Sequence, residues 1–271
     1  MRFSLFPLLL LLFALSCEQS NQLPSDPLRS NQSWEYEEGI AWWDSLAKSS
    51  EYISLRTFGM TDAGYPLHLV VYSTGEMSLE KLGNDHRICL LINNGIHPGE
   101  PDGIDASMAF FRNLALKDTP MYSNMNIVCI QYYNIGGALN RNSHSRANQD
   151  GPEEYGFRGN AQNLDLNRDF VKMDSRNAQS FARLVELIDP DVYLETHVSN
   201  GADYHYTMTY LPTQADKLGY GMGAYMRKNL NPSLETLMES KGHTMVPYVN
   251  VHGTALDSSY TGFYDSPRYS T

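Results

Sequence analysis

Cysteine is scarce in this chain: three among 271 residues, at Cys17, Cys89 and Cys129. No two stand in Cys-x-x-Cys spacing, which argues against a cysteine-ligated metal. Cys89 and Cys129 each lie inside an apolar run, Ile88-Cys89-Leu90-Leu91-Ile92 and Ile127-Val128-Cys129-Ile130. A buried free thiol there behaves as a small hydrophobe, and a disulfide is open to the pair only if their strands are neighbours. Positive charge is also short. Lys and Arg number 20 against 31 Asp and Glu, for a net charge of −11, and the charges are dispersed. Nucleic acid binding needs clustered Lys and Arg, so a nucleic acid partner is excluded. Long apolar runs are missing too, since Leu5 to Leu15 is too short to span a bilayer. No internal repeat is present.

What is there begins with that short run. Arg2 precedes it and Ala14-Leu15-Ser16-Cys17 closes it. This order is that of a signal peptide over residues 1–16. The break falls at a cysteine, which resembles a bacterial lipobox. Cys17 would then be the lipid-anchored first residue of an exported protein on a bacterial membrane, periplasmic or at the cell surface. The alternative is an ordinary signal peptide with an incidental cysteine. Residues 17–33 are polar and contain Pro and Ser, as expected of a flexible tether. Residues 34–271 suffice for one sizeable α/β core.

Periodicity predicts a helix over Trp34 to Lys48, with Ile40, Trp43 and Leu46 on one side. Strands are expected at Leu67 to Tyr72, Ile88 to Ile92, Asn126 to Gln131 and, as a buried strand, Val192 to Thr196. Pro101 to Leu116 is a helix pattern with proline in its first turn and Ile104, Met108, Phe111 and Leu114 along a stripe. Ser175 to Ile188 is another, stopped by Asp189-Pro190, and further helices are expected near 214–229 and 233–241. Residues 134–169 are long and irregular, a length that in a compact domain is usually functional or disordered. Strands alternating with helices imply right-handed crossovers and a three-layer α/β/α sandwich. Its sheet is mixed and mostly parallel, with the site at the carboxyl edge.

The chemistry-bearing residues cluster at those strand ends. His97-Pro98-Gly99-Glu100 is an H-x-x-E step in the turn before the second predicted helix. His197 closes Leu194-Glu195-Thr196-His197. Three N and O ligands with an open fourth position suit a single catalytic zinc ion, whose bound water becomes a nucleophile near neutral pH. Glu100 beside a helix N-terminus is also favoured as an anion. H-x-x-E alone equally fits a hydrogen-bonded structural histidine, and its weight comes from its companions. Asp165-Leu166-Asn167-Arg168 supplies a guanidinium and a neutral donor suited to a substrate carboxylate. An Asn-Arg salt-bridged within its own domain is the plainer alternative. Asp165 can accept a hydrogen bond from a ligand histidine and fix its tautomer. Arg146, twelve residues after Asn134, is a candidate for a developing oxyanion, ahead of Arg141.

These pieces together resemble the zinc carboxypeptidase family of metallopeptidases. The matching runs are His97-Pro98-Gly99-Glu100, Asn134-Ile135-Gly136-Gly137 with Arg146, Asp165-Leu166-Asn167-Arg168-Asp169-Phe170, and Glu195-Thr196-His197. They cover about residues 34–205 in the family's order. The resemblance implies zinc on His97, Glu100 and His197, and Asp165 behind His97. It also implies Arg146 at the oxyanion, and Asn167 with Arg168 on the carboxylate of a peptide-like substrate. The implied activity is hydrolysis of a peptide or amide bond near a free carboxylate. A deacylase of the aspartoacylase and succinylglutamate desuccinylase type has a similar residue set. A binding lipoprotein that grips ligands without turnover is the alternative of a different class.

Two departures stand out. The family's Arg-Glu is here Gly99-Glu100. The family's general-base Glu lies on a late strand, and no Glu follows Glu239. Gly253 to Tyr260 resembles the loop before the family's last strands, with Leu256 and Asp257 as weak candidates for a side-chain pocket. A domain incomplete at its C-terminus is therefore expected, the other reading being a natural chain that has lost the base.

Overall fold

The computed structural model describes residues 23–117, 119–199 and 205–248. The proposed signal peptide, Cys17, Leu256 and Asp257 lie outside them. The elements run α1 (Tyr36–Ser49), β1 (Ile53–Phe58), β2 (Leu67–Tyr72), α2 (Leu79–Leu82), β3 (Ile88–Asn93), α3 (Asp102–Ala115) and β4 (Met125–Ile130). A short helix α4 (Ile135–Leu139), β5 (Arg141–Asn142) and β6 (Tyr155–Gly156) follow, then a 3-10 turn at Leu166–Arg168, α5 (Arg176–Ile188) and β7 (Val192–Glu195). Last come β8 (Met208–Tyr210), α6 (Gly219–Tyr225), α7 (Asn231–Ser240) and β9 (Met245–Pro247).

Among the described residues the main sheet has five strands in the order β1-β2-β4-β3-β7. β3 is parallel to both β4 and β7, while β2 is antiparallel to β4 and to β1. All its strands but β2 therefore point one way, and the expected mixed, mostly parallel sheet is present. β2, β3 and β4 are nearly continuous apolar runs because both faces are covered. On one face Trp43 and Leu46 of α1 and Met108 and Phe111 of α3 pack against Val70, Ile127 and Cys129. On the other, Leu184 and Ile188 of α5 pack against Leu69, Leu91 and Val128. This is a three-layer α/β/α sandwich.

Several details differ from what periodicity suggests. β1 carries no clear apolar alternation; only Ile53 of it is buried, because it is an edge strand. β7 reads as a buried strand, yet Val192 and Leu194 are 45% and 49% exposed among the described residues. Residues 23–33 are not a free tether: the carbonyls of Pro24, Ser25 and Pro27 accept from Arg112, Trp42 and Trp34. Composition misses this because the contacts are backbone acceptors recruited by two buried indoles and the half-buried Arg112 guanidinium. The two late helices join through a π turn at Met226–Leu230. Cys89 and Cys129 are buried and free, and in register Cys89 faces Asn126 while Cys129 faces Ile92.

Candidate metal centre

β3 and β7 lie side by side and point the same way, so the turns that leave them open onto the same edge. The first turn needs Gly95, held at φ +65°, and carries His97 to Glu100 just ahead of α3. The second turn begins with Thr196. Its hydroxyl donates to Asn94 Oδ1 at 2.8 Å, and Asn94 in turn donates to Ser107 of α3 at 2.7 Å. The turns are thereby pinned to each other.

The result is one cluster. Single donor atoms of His97, Glu100 and His197 lie within 4.8 Å of one another. His97 Nδ1 is 3.1 Å from Glu100 Oε1, and His197 Nδ1 is 2.8 Å from Glu100 Oε2. Both rings present Nδ1 inward and Nε2 outward. Two imidazoles and a carboxylate are a fitting donor set for zinc, and the outward Nε2 of His97 has a carboxylate acceptor, as a ligand histidine requires. His97 Nε2 meets Asp165 Oδ1 at 3.0 Å. The side chains of His97 and Glu100 are each 3% exposed and that of His197 is 27%, so the centre opens to solvent on the His197 side.

Electrostatics agree with the geometry. Burial works against the Glu100 charge, yet His197 and His97 hold its carboxyl well below the usual range. Burial likewise opposes the Asp165 charge and is overcome by His97 and Arg158. For His197, burial lowers the pKa, but Glu100 and Glu195 raise it to about 9.

The irregular segment 134–169 is ordered by short polar side chains that bond their own backbone. Asn134 Oδ1 accepts from Gly137 N at 2.8 Å, and Asn160 Oδ1 accepts from Leu164 N at 2.9 Å. Asp165 caps the 3-10 turn by accepting from Asn167 N at 3.0 Å. Arg146 reaches Glu100 Oε1 at 2.7 Å. Gly99 makes this approach possible, since a Cβ there would lie 2.7 Å from Arg146 Cδ and 2.8 Å from Gly156 O. This is the physical reason for glycine at the position where the family resemblance expects arginine. Asn167 Nδ2 lies 3.4 Å from His197 Nε2, and Arg168 Nη1 donates to Asn167 O at 2.6 Å. Arg141, the lesser oxyanion candidate, instead donates to the carbonyls of Ser33, Trp34 and Glu154.

Two neighbours of the centre are not evident from spacing. Arg158 Nε donates to Asp165 Oδ2 at 3.0 Å, and its Nη1 lies 3.4 Å from His97 Nδ1. Glu195 Oε1 lies 3.6 Å from His197 Nε2. Glu195 is the last residue of β7, and His197 lies two residues beyond it in the turn that follows. Beside the centre a cleft of about 550 Å³ is lined by Asp102, Asp105, Gln149, Asp150, Val198 and Ser199 among others.

No protein-family model and no curated protein sequence matches the chain. Solved structures do. A metallo-carboxypeptidase from Burkholderia cenocepacia is 16% identical, matching 79% of this chain and 60% of its own with a TM-score of 0.53. Bovine thrombin-activatable fibrinolysis inhibitor, solved with tick carboxypeptidase inhibitor, is 13% identical over 80% of this chain and 76% of its own, TM-score 0.56. A Pseudomonas aeruginosa metallo-carboxypeptidase in complex with (2-guanidinoethylmercapto)succinic acid is 14% identical over 84% and 54%, TM-score 0.55. The chain thus spans 60% of the length of the Burkholderia protein. At these identities the likeness is one of fold.

Proposed function

We propose that this chain is a zinc-dependent metallocarboxypeptidase-like hydrolase that cleaves a peptide or amide bond near a free carboxylate. The observation that carries the proposal is the convergence of His97, Glu100 and His197 at the carboxyl edge of a carboxypeptidase-like sheet. These residues would hold one zinc ion, which when bound supplies Lewis acidity and an acidified water. Asp165 fixes the His97 ring. Asn167 and Arg168 bind the substrate carboxylate. Arg146 and Arg158, both within hydrogen-bond reach of the ligand residues, offer fixed positive charge where negative charge develops on the scissile carbonyl oxygen. The adjoining cleft has the volume of a small-molecule site and takes the remainder of the substrate.

The proposal includes export and a lipid anchor at Cys17 on a bacterial membrane. It rests on the apolar stretch before Ala14-Leu15-Ser16-Cys17.

Metal stoichiometry is the direct test. The wild-type protein should take up one zinc, and His97→Ala and His197→Ala should each lose it. Wild-type metal content retained in either variant rejects the ligand assignment. A screen of peptides against N-acyl amino acids then separates peptidase from deacylase chemistry.

A further inference from the structure

We infer that Glu195 is a positioning residue for His197, holding its Nδ1 toward the metal site from the far side of the ring. The inference rests on the proposed metal centre and adds a residue to it.

The two histidines have related arrangements. Each turns Nδ1 onto Glu100. His97 Nε2 is hydrogen-bonded to Asp165 Oδ1 at 3.0 Å, and His197 Nε2 faces Glu195 Oε1 at 3.6 Å, an ion-pair distance longer than a hydrogen bond. An Nε2–H facing a carboxylate leaves the lone pair on Nδ1, which is the tautomer a metal needs, and strengthens that nitrogen as a donor. Glu195 is not a loose surface anion. Its side chain is 14% exposed. Tyr193 OH donates to Glu195 Oε2 at 3.2 Å, and Asn93 Nδ2 donates to Tyr193 OH at 3.0 Å. Asn93 is fully buried at the end of β3, in register with Glu195. A chain of polar groups thus runs from the core of the sheet through Tyr193 and Glu195 to the ring. Tyr193 and Glu195 alternate along β7 and face the same side, and His197 follows two residues beyond the end of the strand.

Asn167 is the competing partner. Its Nδ2 lies 3.4 Å from His197 Nε2, while its Oδ1 is buried without a hydrogen bond. Rotating the amide would present an acceptor to Nε2–H. Glu195 is favoured because a carboxylate only accepts, and because Tyr193 already fixes its position.

The test uses the full chain. Zinc dissociation constants are measured by competition with a chromophoric chelator in wild type, Glu195→Ala, Glu195→Gln, Tyr193→Phe and Asn167→Ala. The His197 ring tautomer is read from nitrogen–proton correlations in the zinc-loaded protein. Glu195→Ala should weaken zinc by about 10- to 100-fold, the range seen when a ligand's outer partner is removed. It should also disturb the ring signals. Glu195→Gln, which keeps an acceptor oxygen, should restore most of the affinity. Tyr193→Phe, which removes one hydrogen bond to Glu195 and leaves its carboxylate in place, should weaken zinc less, and keeps the test informative if the alanine variant folds poorly. Wild-type affinity and ring signals in a folded Glu195→Ala, or a loss confined to Asn167→Ala, would overturn the inference while leaving the metal centre standing. Failure of the wild-type protein to bind zinc would instead reject the metal centre, and the inference with it.

Discussion

Gly103 and Thr196 fit together because one of them has no side chain: a Cβ on Gly103 would lie 2.0 Å from Thr196 Oγ1 and 2.3 Å from its Cβ. Gly103 is in the first turn of α3, and Thr196 immediately precedes a proposed ligand. Helix propensity alone favours Gly103→Ala by up to about 1 kcal/mol. The collision reverses the sign. Gly103→Ala should destabilise the protein by about 1–3 kcal/mol, as overpacking does, and weaken zinc binding by displacing His197. Denaturant unfolding and a chelator competition check both effects.

Metal uptake should depend on pH in a defined direction. Burial opposes protonation of His197, but Glu100 and Glu195 outweigh it and hold the imidazolium up to about 9 in the metal-free protein. Its folded pKa therefore exceeds the unfolded value. The pairing stabilises the metal-free fold fully below the unfolded pKa and is lost as pH rises through about 9. Zinc must displace that proton, so its apparent affinity should climb by up to about tenfold per pH unit toward pH 9 and then level off. Calorimetry in buffers of different ionisation enthalpy should find proton release near neutrality.

Asp105 gives a stability prediction independent of the metal. Burial, and then the charge of Asp102, push its carboxyl up to about 7, against the pull of Arg29. Here the folded pKa exceeds the unfolded one for an acid. The folded state keeps a proton that the unfolded state releases, so stability falls as pH rises from about 4 to about 7 and is flat beyond. Asp105→Asn removes that slope. Its melting temperature should match wild type near pH 4 and exceed it by a few degrees at pH 8.

The arginines should fail differently. A carboxylate clamp acts on bound substrate and transition state alike, so Arg168→Ala should chiefly raise KM. Charge at a developing oxyanion acts only in the transition state, so Arg146→Ala should lower kcat by about 10²-fold with little change in KM. Peptides with free and amidated C-termini decide the clamp. Equal kcat/KM for the two rejects Arg168 as the group that reads a terminal carboxylate.

Anchoring is tested separately. Cys17→Ser should move the protein from the membrane to the soluble fraction, and equal partitioning of both forms argues for another anchor.

Much of this was legible in one sequence, for identifiable reasons. β3, β4 and α3 are long, apolar and strongly periodic, and strand-end histidines at fixed places in a parallel sheet converge without further information. The structure brings His97, Glu100, His197 and Asp165 together, and it is the matched runs taken together, more than strand ends alone, that single them out in the sequence. β1 was not legible, because an edge strand needs no apolar alternation. Arg158 was not, because segment 134–169 folds through Asn and Asp side chains bonding their own backbone, which leaves no period to read. Glu195 was not, because β7 ends at it and no spacing in the sequence shows that Tyr193 holds it beside His197.

His197 and Glu100 meet across 97 residues of chain. The centre therefore exists only once β3 and β7 have paired, a long-range event that comes at high loop-closure cost. Metal capture during refolding would consequently act as a clock for the completion of this sheet, lagging the earlier signal of helix formation.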